Sequence, residues 1–342
     1  MTYDERFSAA LKEEHVSLLN SSGTEFNSSS IEVLNQCPVC SGKEYSIYCI
    51  KDKFVHKSCK SCGLVYLDPN LSREATLKFY NSKVNEIYNE QKFHLEDTIM
   101  SDDIKNLDNY NLLLKNINDK FYKGKKLLEI GPGRGTFLTK AVEDGFDAYA
   151  VELNSLLIEK LKKITNNVYT DDIINIELPE NYFDVIYFRD VMEHIDMPIP
   201  FLSKLHKILK PGGVIFIDTH NIKSLVNSST KEYHTVIFAF EHPVHWSPES
   251  LTYACEKVGL SLKSKHFDHI NQRLANIVNY KINPSFTYIY PPKRSLMSFL
   301  YYRILSILLQ FPLLWKFDRA ISIQLSKLLG RGAIMQMIFT KK

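Results

Sequence analysis

Lys126-Leu127-Leu128-Glu129-Ile130-Gly131-Pro132-Gly133-Arg134-Gly135 decides how this chain is read. A short apolar run enters a turn holding three glycines, and Phe137–Glu143 continues as a helix. Glycine tolerates positive φ and carries no Cβ, so the turn lets a ligand approach the backbone, with helix-terminal N–H groups aimed at it. The spacing Gly-x-Gly-x-Gly departs from the Gly-x-Gly-x-x-Gly of dinucleotide sites, which disfavours a nicotinamide cofactor. At the end of the next apolar run, 17 residues beyond Gly135, stands Glu152. An acid there can accept both hydroxyls of a ribose.

Working outward, short apolar runs alternate with amphipathic stretches from Lys126 to about Asp268, the pattern of βα units on a parallel sheet. Strands are predicted at Lys126–Ile130, Ala148–Val151, Val168–Thr170, Phe183–Phe188, Val214–Asp218 and Ser261–Phe267. Phe201, Leu202, Leu205, Ile208 and Leu209 share one helix face that Pro211-Gly212-Gly213 ends. Five expected parts follow: a flexible leader over 1–36, a zinc ribbon over 37–70, a helical connector over 71–123, an α/β domain over 124–270, and an apolar helical excursion with a final strand over 271–342.

These residues resemble the class I S-adenosylmethionine-dependent methyltransferases. Glu129–Gly135 looks like their first motif, and Asp171-Asp172 resemble the acidic motif that meets adenine. Phe183–Ile186 leading to Met192-Glu193-His194-Ile195 looks like the fourth strand and its loop, and Pro211-Gly212-Gly213 like the turn before strand five. The resemblance implies a Rossmann-like, mostly parallel sheet binding S-adenosylmethionine. Gly131, Gly133 and Gly135 would serve the donor's amino-acid part, Glu152 its ribose, and Asp171 or Asp172 its adenine, while Glu129 would either brace the glycine turn or bind donor groups. Arg189 joins this cofactor-side set, although with Asp190 it stands where many relatives carry a smaller or neutral pair.

Cys37-Pro-Val-Cys40 and Cys59-Lys-Ser-Cys62 lie 18 residues apart, the knuckle spacing of a four-thiolate zinc site. Four protein ligands leave no open coordination position, so a structural Zn2+ is expected. A segment this short has no core of its own and needs the metal to fold. CKSCGLVYLDP over Cys59–Pro69 and His242-Pro-Val-His245-Trp246-Ser247 resemble a bacterial subgroup that joins such a module to the methyltransferase fold and often acts on sugars or other secondary metabolites.

The expected reaction is methyl transfer to an oxygen or carbon of a small molecule: a sugar, nucleotide sugar, or glycan or secondary-metabolite precursor. A base is needed only where the acceptor carries a proton to lose, and His245 and His194 are the candidates. His242, Asp190 and Glu193 are weaker ones. One rival changes the acceptor to a lipid-linked or quinone-like molecule at a membrane surface. Another makes the chain a non-enzymatic zinc-ribbon scaffold with a vestigial sheet domain.

Composition bounds these readings. The 342 residues, 44% hydrophobic and 24% charged, describe ordinary globular protein, and a net charge of +3 gives no case for nucleic acid. From Pro291 to Lys342, however, nine Lys and Arg face one acid, Asp318, leaving the rest of the chain at −5. That tail is also apolar, so peripheral contact of 295–330 with a membrane is a further expectation, while Arg303 and Pro312 argue against a spanning helix. The acidic, apolar-poor first thirty residues carry no secretory signal, which points to the cytoplasm, including the inner face of a membrane. The oligomeric state is left open.

Overall fold

The computed structural model describes residues 3–23, 25–87, 96–117, 124–268, 274–282, 289, 296–308 and 312–342. The chain divides into two compact units, each made of several stretches of sequence.

One unit, 94–219 with 248–266 and 335–342, carries most of a seven-stranded sheet. Its strands are β1 (Lys126–Ile130), β2 (Asp147–Val151), β3 (Asn167–Tyr169), β4 (Phe183–Arg189), β5 (Leu209–His220), β6 (Leu260–Asp268) and β7 (Ile334–Lys341), in the order β6-β7-β5-β4-β1-β2-β3. From β5 through β3 every neighbouring pair is parallel. Leu127, Leu128 and Ile130 in β1 are buried, as are Val185 to Phe188 in β4, because helices cover both faces of such a sheet. On one face Phe137 stacks on Tyr187 at 3.8 Å and packs with Tyr110 and Leu113. On the other, Leu138, Ala148, Ala150 and Leu161 form a second cluster.

The strand order reverses beside β1, which creates the crevice at the carboxyl ends where open α/β sheets bind ligands. Pro211-Gly212-Gly213 does not form a separate turn. It lies inside β5, where the register against β4 shifts between Leu209 and Val214 and the strand continues to His220. The glycines accommodate that irregularity, Gly212 at φ +75°.

The other unit, 1–93 with 220–247 and 267–334, holds a four-stranded sheet. Tyr45–Lys51, Phe54–Cys59 and Val65–Leu67 form an antiparallel meander, and Val244–His245 pairs onto Val65-Tyr66 as its edge. The leader differs from expectation. Tyr3–Ser17 is a helix whose Phe7 and Leu11 are buried with Phe54, Phe79, Phe238 and Phe240. Its weak periodicity reflects an apolar face reduced to a few anchors, since Ser, Lys and Glu fill the rest. The same unit contains the helices Leu274–Ile282, Leu296–Leu308 and Pro312–Leu329.

Candidate active site and thiolate cluster

The glycine turn is held from both sides. Gly131 donates its N–H to the Val151 carbonyl at 2.9 Å, tying the end of β1 to the end of β2, and Gly135 donates to Pro132 at 2.9 Å. Gly131, Gly133 and Gly135 have φ of +66°, +54° and +80°, values that favour glycine. A Cβ on Gly131 would stand 2.9 Å from Val191, and one on Gly135 would stand 2.5 Å from Ile164, so these two are fixed by packing. At Gly133 a Cβ would meet nothing within 4 Å, so open space adjoins that backbone. Gly135 caps the helix Thr136–Glu143 without a side-chain hydrogen bond.

Glu152 turns toward this loop. Its Oε2 accepts from the Gly133 N–H at 3.3 Å and its Oε1 from the Asn154 N–H at 2.8 Å. Glu129, at the end of β1, is 3% exposed, and its Oε2 has no hydrogen-bond partner among the described residues. Burial pushes its carboxyl up to about 8, with Glu152 adding to the rise and Arg189 opposing it. An orphaned buried carboxyl oxygen, a bare glycine backbone and an acid at the end of β2 are a donor set that fits an amino-acid-bearing nucleoside cation.

Further polar groups gather at the ends of β4 and β5. Arg189 reaches Asp190 at 3.2 Å and Asn106 at 3.1 Å. Asp218 is wholly buried, and burial, then the nearby Asp190 charge, raises it to about 7. Its Oδ2 accepts from Asn109 at 2.7 Å. Asn109 also donates to the Tyr187 hydroxyl at 2.9 Å and accepts from Gln336 at 2.7 Å. Glu193, 2% exposed, accepts from the Thr219 hydroxyl at 2.8 Å, and His194 follows it in a single 3-10 turn. Asp171 and Asp172 are both exposed on the turn after β3, where they accept backbone N–H groups of Asp172 and Ile174.

Sequence reading missed the helix Glu96–Asn116 as part of this site. Asp103 bonds Thr136 at 2.5 Å, Asn106 bonds Arg189 and Asn109 bonds Asp218, so one polar edge at helical spacing lies along the loop and the ends of β4 and β5. On this helix Leu107 is exposed, while Tyr110 is buried. The usable signal was Asp103-x-x-Asn106-x-x-Asn109 beside Tyr110.

His245 lies in the other unit and is fully buried within a row of imidazoles. Its Nδ1 is 3.3 Å from His220 Nε2, and its Nε2 is 3.3 Å from His56 Nδ1. Burial, then the neighbouring histidines, holds it well below the usual histidine range, and burial takes His56 down to about 3.

The same unit brings Cys37, Cys40, Cys59 and Cys62 together, with all four Sγ atoms within 4.8 Å of one another. Cys37 and Cys62 are 3.6 Å apart and Cys40 and Cys59 3.4 Å, near the S···S separations of a tetrahedron with ~2.3 Å metal–sulfur bonds. The knuckles repeat one pattern. Ser41 N–H donates to Cys37 and Gly63 N–H to Cys59, while Cys37 and Cys59 donate to Gly42 and Leu64. A Cβ at Gly42 would stand 2.9 Å from Ser61 Oγ and 3.1 Å from Cys40 Sγ, so a side chain there would press on both knuckles.

Residues 104–265 match the family model described as Methyltransferase domain. With its sheet order, this stretch has the Rossmann-like, mostly parallel fold of class I methyltransferases. Among curated proteins, the ubiquinone biosynthesis O-methyltransferase of Idiomarina loihiensis is 31% identical over 133 residues, 37% of this chain and 52% of that protein. The protein of the same name from Acinetobacter baumannii is 24% identical over 183 residues, 47% of this chain and 75% of its own. The chain thus spans about half the length of the first curated relatives it matches. A crystal structure of a SAM-dependent methyltransferase from Archaeoglobus fulgidus is 20% identical, with a TM-score of 0.46 over 75% of this chain and 99% of that one.

The Glu129 carboxyl gives a pH signature. Its folded value of about 8 lies above the ordinary 4.5, so its contribution to stability is complete below 4.5 and is lost as pH rises through about 8. Asp218 adds a loss of the same sign through about 7. Glu129→Gln should flatten the fall in Tm of the ligand-free protein across that window, measured by calorimetry over a pH series. Superimposable wild-type and variant slopes would refute the assignment.

Proposed function

We propose that the chain transfers a methyl group from S-adenosylmethionine to an oxygen or carbon of a small-molecule acceptor. The observation that carries this reading is Glu152 facing the Gly133 backbone N–H, at the end of the strand after the glycine loop. When bound, the donor supplies an electrophilic methyl on a sulfonium. Glu152 holds the ribose, Glu129 and the Gly131–Gly135 backbone take the amino-acid end, and Asp171 or Asp172 meets the adenine from the turn after β3. The transfer is an in-line displacement, so the protein's main contributions are alignment and exclusion of water.

His194 is the proposed base where the acceptor has a proton to lose. It is half-buried in the turn after β4, three residues beyond the Val191 that packs against Gly131. His245 fits a positioning role, because both its ring nitrogens face other imidazoles and burial keeps it neutral.

The acceptor class proposed first is a sugar, nucleotide sugar or glycan precursor, on the resemblance carried by Cys59–Pro69 and His242–Ser247. A second reading, a lipid-linked or quinone-like acceptor, is favoured by the names of the curated relatives. Methyl-labelled donor incubated with fractionated extract separates them, by label entering water-soluble glycoconjugates or the organic phase. The four thiolates are proposed to hold a structural Zn2+ that ties the two knuckles together.

Two measurements test these assignments. Calorimetric titration with S-adenosylhomocysteine should show saturable binding that weakens at least ~10-fold in Glu152→Ala, the loss of a charged hydrogen-bond partner worth ~1.5–3 kcal/mol, with an unchanged circular dichroism spectrum. Unchanged affinity would overturn the ribose assignment. Metal analysis should find one zinc per chain, falling well below that in Cys59→Ser with a lowered Tm; metal-free, equally stable wild-type protein would overturn the zinc assignment.

A further inference from the structure

The helices Leu296–Leu308 and Pro312–Leu329 both expose an apolar face. Among the described side chains of Pro312–Leu329 the buried ones are Asp318, Ser322 and Ser326, one polar ridge at four-residue spacing. Asp318 accepts from the Ala275 N–H at 3.3 Å and from the Ser322 hydroxyl at 3.0 Å. Leu314, Phe317, Ile321, Leu325 and Leu328 form an outward stripe at the same helical period, with Phe317 64% and Leu328 84% exposed. Leu296–Leu308 also has an outward apolar arc, although its inner face is apolar too. Tyr302 and Leu305 pack on Val278 and Ile282, while Met297, Tyr301, Ile304 and Leu308 lie on an exposed arc. A water-facing helix buries its apolar stripe, so two apolar stripes facing out call for a nonaqueous neighbour.

The charges indicate which neighbour. Arg303 borders one stripe and Lys316 and Lys327 the other, and all three are exposed. The sole acid between Pro291 and Lys342 is Asp318, whose carboxylate is turned inward. An exposed apolar arc bordered by long cationic side chains and free of outward carboxylates complements the acyl–headgroup boundary of an anionic bilayer, where Lys and Arg stems extend to lipid phosphates. A second copy of the same face would set cation against cation. No described helix is long and apolar enough to cross a membrane, which agrees with helices lying in the interface.

We propose that the outward faces of residues 296–308 and 312–329 dock this protein on an anionic lipid surface, with Met297, Ile304, Phe317, Ile321 and Leu328 inserted and Arg303, Lys316 and Lys327 at the phosphates. The proposal does not rest on the catalytic reading, because lipid binding is measured without turnover.

The test is flotation of the full chain with vesicles of phosphatidylcholine alone or mixed with phosphatidylglycerol. Binding to the mixed vesicles is expected to exceed binding to neutral ones at least ~10-fold and to fall in high salt. Phe317→Glu with Ile321→Glu, both exposed positions that leave the core intact, should abolish binding to both vesicles. Lys316→Glu with Lys327→Glu should remove the anionic preference. Failure to float with the mixed vesicles would overturn the proposal. So would a concentration-dependent dimer in analytical ultracentrifugation that Phe317→Glu dissociates, since a second copy would then cover the face.

Discussion

The candidate site depends on one hydrogen bond between the glycine turn and the end of β2, from the Gly133 N–H to Glu152 Oε2 at 3.3 Å. It works only because β1 and β2 are parallel neighbours in register, Ile130 opposite Val151, so that the glycine turn and the acid leave the sheet at the same level. Gly131, pinned to Val151 and crowded by Val191, fixes the turn's direction. The bare Gly133 backbone leaves open space beside that bond. Burying Glu129 behind this arrangement has a cost, visible in its raised pKa, that a cationic ligand would offset.

The two compact units solve different stability problems. The sheet unit is stabilised by buried apolar strands and helices, with Phe137, Tyr187 and Tyr110 at its centre. In the other unit Phe54 and Leu67 of the knuckle segment join an apolar cluster, and the four cysteine sulfurs converge beside the knuckles. In the same unit His56, His245 and His220 form a row of imidazoles, and burial keeps His56 and His245 neutral. The units are interleaved in sequence: the stretch 220–247 is followed by a helix and β6 of the sheet unit, and the stretch 267–334 by β7, which lies between β5 and β6.

Much of this was legible in the residues, and the reasons are local. Lys126–Ile130 is a strand because a fully buried parallel strand needs a continuous apolar run, and its bounds read directly from sequence. The cysteine spacing determined which four side chains could meet, since knuckle geometry acts over a few residues. Other features depend on tertiary partners. Tyr3–Ser17 has its ring contacts with Phe54 and Phe238 far along the chain, and the Asp103, Asn106 and Asn109 edge gains its meaning from Thr136, Arg189 and Asp218. The polar ridge of Asp318, Ser322 and Ser326 looks like the solvent side of an amphipathic helix until its burial is seen.

A crystal structure of the full chain with S-adenosylhomocysteine tests the central claim most directly. The account predicts the ribose hydroxyls at Glu152, both within hydrogen-bond distance of ~2.5–3.0 Å, and the amino-acid end beside Gly131 and Glu129. A ligand seated elsewhere, or a Glu152 carboxylate turned away from the nucleoside, would contradict it.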